Sequence, residues 1–178
     1  SLAALAAVIL VDVIRPETTF AGTVAAIAAV LLGLRVSRWQ GYRTLQMPIV
    51  VILHAGYAWL PIALALKSAW LLLHAPWAAN WLHALTAGAF GTMILGVMTR
   101  VALGHTGRQL VVARPISVAY LLVILGAALR VAGPTLAPSL FVPVLLAAAV
   151  LWGGAFLIFL IVFWPILSVA RPRDPAAR

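Results

Sequence analysis

Long uncharged stretches constrain this chain more than any other feature of its sequence. Thirty-two consecutive residues between Lys67 and Arg100 carry no charged side chain, and the 178-residue chain holds only 12 Lys or Arg and 3 Asp or Glu. Hydrophobic residues make up 65% of the sequence, whereas soluble domains average about 45–50%. Because so few charges cannot cover the surface of a water-soluble protein of this size, the sequence predicts an integral membrane protein.

Six apolar segments lie between the charged residues. A spanning helix needs about 20 mostly apolar residues, and the candidates are Ser1–Ile14, Thr18–Leu34, Met47–Leu66, Trp77–Leu103, Pro115–Val131 and Leu140–Val169. None alternates with the period of a membrane β-strand, so we expect an all-α, polytopic membrane bundle of about six helices, one domain over residues 1–178. The first segment is too short to span alone. From its abrupt start we expect a chain that begins partway through a longer protein.

The basic residues alternate between the connections of these segments. After successive segments, Lys and Arg number 1, 3, 1, 3, 1 and 3. Cytoplasmic connections carry the excess of Lys and Arg, so we expect the three-charge connections and the C-terminus to be cytoplasmic. This interpretation assigns Lys67 and Arg130 to outer connections.

The composition also excludes several classes of chemistry. The absence of cysteine excludes disulfides, thiolate metal sites, iron–sulfur clusters and covalently attached haem. Three carboxylates leave little for paired acid–base catalysis. Although the net charge is +9, the basic residues are scattered between apolar runs, and we expect no nucleic-acid partner. Any metal or cofactor would be held by His, Met, backbone groups or noncovalent packing.

Three histidines are the candidate ligands. His54 lies in the third segment, His83 in the fourth and His105 in the connection that follows. Polar residues inside a bilayer are costly, and imidazole is a common ligand of haem iron and copper. A hydrogen bond to a neighbouring helix would explain either intramembrane histidine equally well. At 1.5 Å per residue, His54 and His83 differ in depth by roughly 10 Å, which favours two centres or opposite ligands from helices outside this chain.

Small residues and two arginines follow His83. One row leads to Arg100 and a second starts at His83; they comprise Ala84, Gly88, Thr92 and Gly96, and then Ala87 and Gly91. Such rows let another helix approach closely, and they would also let a flat porphyrin lie against the helix. Arg100 and Arg108 flank His105 and suit a carboxylate or phosphate, such as a haem propionate. Positive-inside topology explains these arginines as well.

Two blocks of the sequence resemble the NnrS family. The first runs from His83-Ala84-Leu85-Thr86 through Val97-Met98-Thr99-Arg100 to Gly104-His105-Thr106-Gly107-Arg108, and the second is Leu53-His54-Ala55-Gly56-Tyr57-Ala58-Trp59. NnrS-like proteins are bacterial inner-membrane proteins with about twice as many helices, described as binding haem and copper and linked to nitric oxide metabolism.

The resemblance implies that His54, His83 and His105 are cofactor or metal ligands, with Arg100 and Arg108 as supporting charges. The implied cofactors are haem b and, as a further candidate, copper. It also implies a multi-pass protein of the bacterial inner membrane. The present segments would correspond to a C-terminal half, which other helices or subunits complete.

Three functions follow as hypotheses. The first is a haem-binding, copper-binding membrane protein that acts in the nitric oxide response or in membrane electron transfer. The second is a non-catalytic subunit that packs on a larger membrane complex through the small-residue row. The third is a transporter of copper or an anion, against which stand the lack of carboxylates in the spans and the scarcity of broken helices. No catalytic acid, base or nucleophile is indicated.

Overall fold

A computed structural model describes residues 2–168, and every regular element among them is helical. The helices are α1 (Leu2–Ile14), α2 (Thr19–Ser37), α3 (Pro48–Leu73), α4 (Trp81–His83), the π-helix π1 (Ala84–Phe90), α5 (Gly91–His105), α6 (Arg114–Leu136) and α7 (Phe141–Ser168). Five spans are long and apolar enough to cross a membrane, and α1 is a shorter apolar helix. The expected helical membrane bundle with a short first helix is confirmed.

The fourth span, Pro76–His105, consists of a short 3-10 turn followed by α4, π1 and α5 without interruption. Three further spans begin where the sequence marks a helix start. Thr18 caps α2 by accepting a hydrogen bond from the Ala21 amide at 3.2 Å. Pro48 and Pro115 occupy the first turns of α3 and α6, where a missing amide hydrogen costs little.

The spans pack as two pairs joined by the fourth span. In one group α2 lies against α1 and α3, and in the other α6 lies against α7. The fourth span contacts α3 on one side and α6 and α7 on the other. One apolar core, with Ile52, Leu95, Val123 and Phe159 among its members, therefore joins α3, α5, α6 and α7.

Large apolar side chains cover the outside of the bundle. On α7 alone, Val142, Leu146, Val150, Ile161 and Trp164 are exposed. In water such a surface would drive aggregation, whereas lipid tails are as apolar as these side chains. The outward-facing side chains are therefore in contact with the lipid bilayer.

The assignment of Lys67 and Arg130 to outer connections is wrong. Lys67 lies inside α3 and Arg130 inside α6, because both helices continue beyond the segments expected from the sequence. Asp12 of α1 forms an ion pair with Lys67, which stabilises a charge only 4% exposed. Asp12 itself lies in α1, which is too short to span, and the five spans of the described residues contain no Asp or Glu, as expected.

Because Lys67 and Arg130 lie inside helices, the difference in Lys and Arg content between the connections is larger than expected from the sequence. The α3–α4 and α6–α7 connections contain no Lys or Arg, whereas Arg38, Arg43 and Arg108 lie in the α2–α3 and α5–α6 connections. The cytoplasmic location of the latter two stays a prediction. The basic tail residues Arg171, Arg173 and Arg178 lie outside the described residues, and so does the C-terminus.

Candidate functional site

An apolar cavity lies between the fourth span, α6 and α7. Its volume is about 580 Å³, within the usual range of roughly 300–1,000 Å³ for small-molecule sites. Most of its wall is apolar, with Phe90, Ile94, Leu145, Trp152 and Phe156 among the lining residues. The cavity suits a ligand with a large apolar body.

Two polar side chains of this wall contact each other. The guanidinium of Arg130 donates a hydrogen bond from Nη2 to Nε2 of His83, and its Nη1 lies 3.4 Å from Oδ1 of Asn80. Because an arginine side chain has no acceptor atom, Nε2 of His83 must accept and Nδ1 must carry the hydrogen. The imidazole at the cavity is therefore neutral, and its Nε2 lone pair is engaged by Arg130.

A proline removes one backbone hydrogen bond of α6 near Arg130. Pro134 has no amide hydrogen to give to the carbonyl of Arg130, four residues earlier. The neighbouring carbonyl of Val131 accepts a hydrogen bond from Nδ2 of Asn80 at 3.1 Å. Asn80 thus contacts both the Arg130 side chain and the adjacent backbone, and it ties the start of the fourth span to α6.

The π-helix directly follows His83 and forms part of the cavity wall. Isolated π-segments inside α-helices are rare and occur frequently at functional sites. Nε1 of Trp152 donates a hydrogen bond to the carbonyl of Ala87 in π1 at 3.2 Å. This bond connects α7 to the irregular turn and fixes the indole as one wall of the cavity.

Two glycines make room for this indole. A Cβ atom on Gly91 would lie 2.8 Å from Nε1 of Trp152, and one on Gly126 would lie 2.8 Å from its backbone nitrogen. Any larger residue would displace the tryptophan or separate α6 from α7. The second small-residue row, which starts at His83 and includes Ala87 and Gly91, therefore lines the cavity.

His54 lies in different surroundings, next to the α2–α3 connection. Its Nδ1 lies 2.8 Å from the carbonyl of Val50 and donates a hydrogen bond to it, which in the neutral imidazole leaves the lone pair on Nε2. The ring contacts Trp39 edge-on at 5.3 Å, and Trp39 also packs on Tyr57 at 4.5 Å. A hydrogen bond from one ring nitrogen to a carbonyl is common in metal-binding histidines, and it also satisfies a partly buried imidazole that binds no metal.

His105, Arg100 and Arg108 lie toward the opposite end of the fourth span from His83. His105 is the last residue of α5, and all three side chains are exposed. The 22 positions between His83 and His105 correspond to about 30 Å of helix. No group of three His, Cys, Asp or Glu side chains within residues 2–168 could hold a metal ion. The structure therefore does not bring His54, His83 and His105 together.

Comparison with protein families identifies the chain. The family model described as NnrS protein matches residues 1–172. The chain belongs to the NnrS family. No curated protein and no solved structure matches it. With its five apolar spans, this member of the NnrS family is a multi-pass membrane protein.

The first small-residue row is buried within this NnrS chain. Ala84 and Thr92 are fully buried, Gly88 packs on Trp59, and Gly96 packs on Ile52 of α3. The hypothesis that this row is the surface that binds another subunit is wrong, because α3 of the same chain already covers the row. The packing interpretation of the row is confirmed.

Sequence reasoning missed the residues that surround His83 in this NnrS protein. Arg130 was assigned to a connection, and neither Asn80 nor Trp152 was expected at the site. A basic residue near the end of an apolar segment was the available signal for Arg130, since intramembrane charges usually line a bundle interior or cavity. The contact itself joins residues 47 positions apart, and no local pattern reports it.

Proposed function

We propose that this NnrS family protein binds haem b in the cavity between the fourth span, α6 and α7, where His83 would hold the iron. The observation that carries the proposal is a single neutral imidazole at an apolar cavity of about 580 Å³. Haem iron in proteins is commonly held by one such imidazole. The resemblance of residues 83–108 to haem-binding NnrS proteins supports the same assignment.

The lining of the cavity fits the chemistry of a haem. Phe90, Trp152 and Phe156 offer apolar and aromatic surface for a flat macrocycle. Among the described lining residues only one has a ring nitrogen suited to iron, and no lining residue is a carboxylate. His83 is the one imidazole among the described lining residues, and a haem held by it alone would keep a position for an exchangeable small ligand.

The function that this site supports is a role in the nitric oxide response. When bound, a haem with an open position supplies an iron atom to which a diatomic molecule such as nitric oxide binds. The protein's own residues would exclude water from that position and keep the macrocycle within the bilayer. Membrane electron transfer is the alternative use of the same haem, and it requires no open position. We place this activity in the bacterial inner membrane.

His54 and copper form a second, separate part of the proposal. The hydrogen bond from Nδ1 of His54 to the Val50 carbonyl is the observation that favours a metal there, because it points the other ring nitrogen away from that carbonyl. Because no three-ligand group exists among the described residues, further ligands would have to come from additional helices or a partner subunit. At that end of the bundle, the candidate metal ligand is His105, and the candidate supporting charges are Arg100 and Arg108.

Optical spectroscopy tests the haem assignment. Protein purified in detergent from haem-replete cells, or titrated with hemin, should show a Soret band with about one haem per chain. The His83→Gln variant should retain roughly a tenth or less of that haem, whereas His74→Gln, in the exposed α3–α4 connection, should retain all of it. A wild-type protein without haem, or a His83→Gln variant with an unchanged spectrum, would refute the assignment.

A further inference from the structure

Arg130 places a permanent positive charge at an apolar cavity. Its guanidinium and the imidazole of His83 both line the cavity, and most of the remaining lining is apolar. Burying a cation in such surroundings is costly unless an anion or several hydrogen bonds compensate it. A charge of this kind usually marks a ligand site in a membrane protein.

The two hydrogen-bond partners of Arg130 are neutral. One is Nε2 of His83 and the other is Oδ1 of Asn80, at 3.4 Å. Of the two carboxylates in the described part of the chain, Asp12 is paired with Lys67, and neither Asp12 nor Glu17 forms an ion pair with Arg130. The guanidinium therefore lacks an anionic partner within residues 2–168, although its planar set of donors matches a carboxylate well.

From this geometry we infer that Arg130 is the carboxylate-binding residue of the cavity, which takes a flat apolar ligand that carries a carboxylate. The apolar body would lie against Phe90, Trp152 and Phe156, and the carboxylate would accept hydrogen bonds from the guanidinium. The inference deepens the proposed function, because a haem carries two carboxylates, but it requires no iron.

The same geometry couples the two polar residues. Nε2 of His83 now accepts a hydrogen bond from Arg130, so the lone pair that a metal would need is occupied. A carboxylate is a stronger acceptor for a guanidinium than a neutral imidazole is. A bound carboxylate would therefore compete with Nε2 of His83 for the Nη2 donor of Arg130, and displacement of the imidazole would free Nε2 as a ligand.

Two metal-free fluorescent probes of the same shape test this inference. Pyrenebutyrate carries a carboxylate, and pyrenebutanol carries a hydroxyl in its place. Wild-type protein in detergent should bind pyrenebutyrate about tenfold or more tightly than pyrenebutanol, which is the size expected for a charge-assisted hydrogen bond. Arg130→Gln should abolish the preference, and Arg130→Lys should keep part of it. Arg114→Gln, at an exposed position at the opposite end of α6, should leave it unchanged.

The state of His83 provides a second measurement. In protein labelled with ¹⁵N-histidine, pyrenebutyrate should shift the Nε2 resonance that disappears in His83→Gln, and pyrenebutanol should leave it in place. Equal binding of both probes to the wild type, or an unchanged preference in Arg130→Gln, would overturn the inference. These outcomes do not depend on haem, so they are distinguishable from a failure of the haem assignment, which the Soret band of the wild type reports.

Discussion

Lys67 of α3 forms an ion pair with Asp12 of α1, and the Lys67 ammonium also lies 4.8 Å from the ring centre of Trp81 at the start of the fourth span. One charged side chain thus connects three elements of the bundle. Because α1 is too short to span a membrane alone, this contact contributes to holding it against its neighbours. The charge of Lys67 has an anionic partner, whereas the hydrogen-bond partners of Arg130 at the cavity, His83 and Asn80, are neutral.

Removal of Asp12 should destabilise the protein more than removal of Lys67 and Asp12 together. Asp12→Asn leaves the buried ammonium of Lys67 without its partner, at a cost of about 2 kcal/mol, because the carboxylate is partly exposed. The double variant Asp12→Asn with Lys67→Met should recover part of this loss. The measurement is thermal unfolding in detergent, followed by tryptophan fluorescence. Glu17→Gln, at an exposed position, is the matched control, and an Asp12→Asn variant as stable as that control would contradict the prediction.

Replacement of Gly126 and of Gly153 by alanine should have opposite effects on the stability of the protein. Gly126→Ala places a Cβ atom 2.8 Å from the backbone of Trp152, and this overpacking should cost about 1–3 kcal/mol. Gly153→Ala meets no atom within 4 Å and should be neutral or stabilising by up to about 1 kcal/mol, since alanine favours the helix. Thermal unfolding of both variants checks the prediction. Similar melting temperatures would show that α6 and α7 do not approach as closely as described.

The packing of the small-residue row on α3 predicts a specific rescue. A Cβ atom on Gly88 would lie 2.5 Å from the indole of Trp59, so Gly88→Ala should lower the melting temperature. Combining it with Trp59→Leu should cost less than the sum of the two single changes, because the smaller side chain gives the methyl group room. Gly104→Ala, with no atom within 4 Å, is the control. If the double variant loses as much stability as the sum of the two single variants, Gly88 does not contact Trp59.

A buried hydroxyl without a partner should be dispensable. Oγ1 of Thr92 is buried and has no hydrogen-bond partner in the described part of the chain, whereas Oγ1 of Thr99 donates to the carbonyl of Leu95 at 2.8 Å. Thr92→Val should therefore be neutral or stabilising by about 1 kcal/mol. The corresponding change at Thr99 should be the more harmful of the two. Unfolding midpoints in the same detergent compare the pair, and the reverse order would contradict the assignment.

The membrane orientation can be tested with introduced cysteines, because these 178 residues contain none. Ala79 is exposed in the α3–α4 connection and Gln109 in the α5–α6 connection. The positive-inside rule predicts that a membrane-impermeant thiol reagent added to intact cells labels Ala79→Cys and leaves Gln109→Cys unlabelled until the membrane is permeabilised. Labelling in the opposite order would invert the proposed topology.

The spans and several helix starts could be predicted from the sequence because each depends on local chemistry. A bilayer requires an uninterrupted apolar stretch whose backbone groups bond within the helix. Thr18 and Pro48 mark helix starts through their own side chains. Helix ends were less predictable: α3 and α6 continue past Lys67 and Arg130, whose charges find partners in the tertiary structure.

The sequence by itself therefore determined that this chain is a membrane bundle, the number of its spans and the histidines worth testing. Only the tertiary structure decided the partners: Arg130 for His83, Asp12 for Lys67, and Trp152 for the carbonyl of Ala87. The physical reason is that lipid tails are as apolar as a protein core. A helix in a bilayer therefore shows little difference between its inner and outer faces, and contacts between residues 47 to 65 positions apart leave no periodic trace.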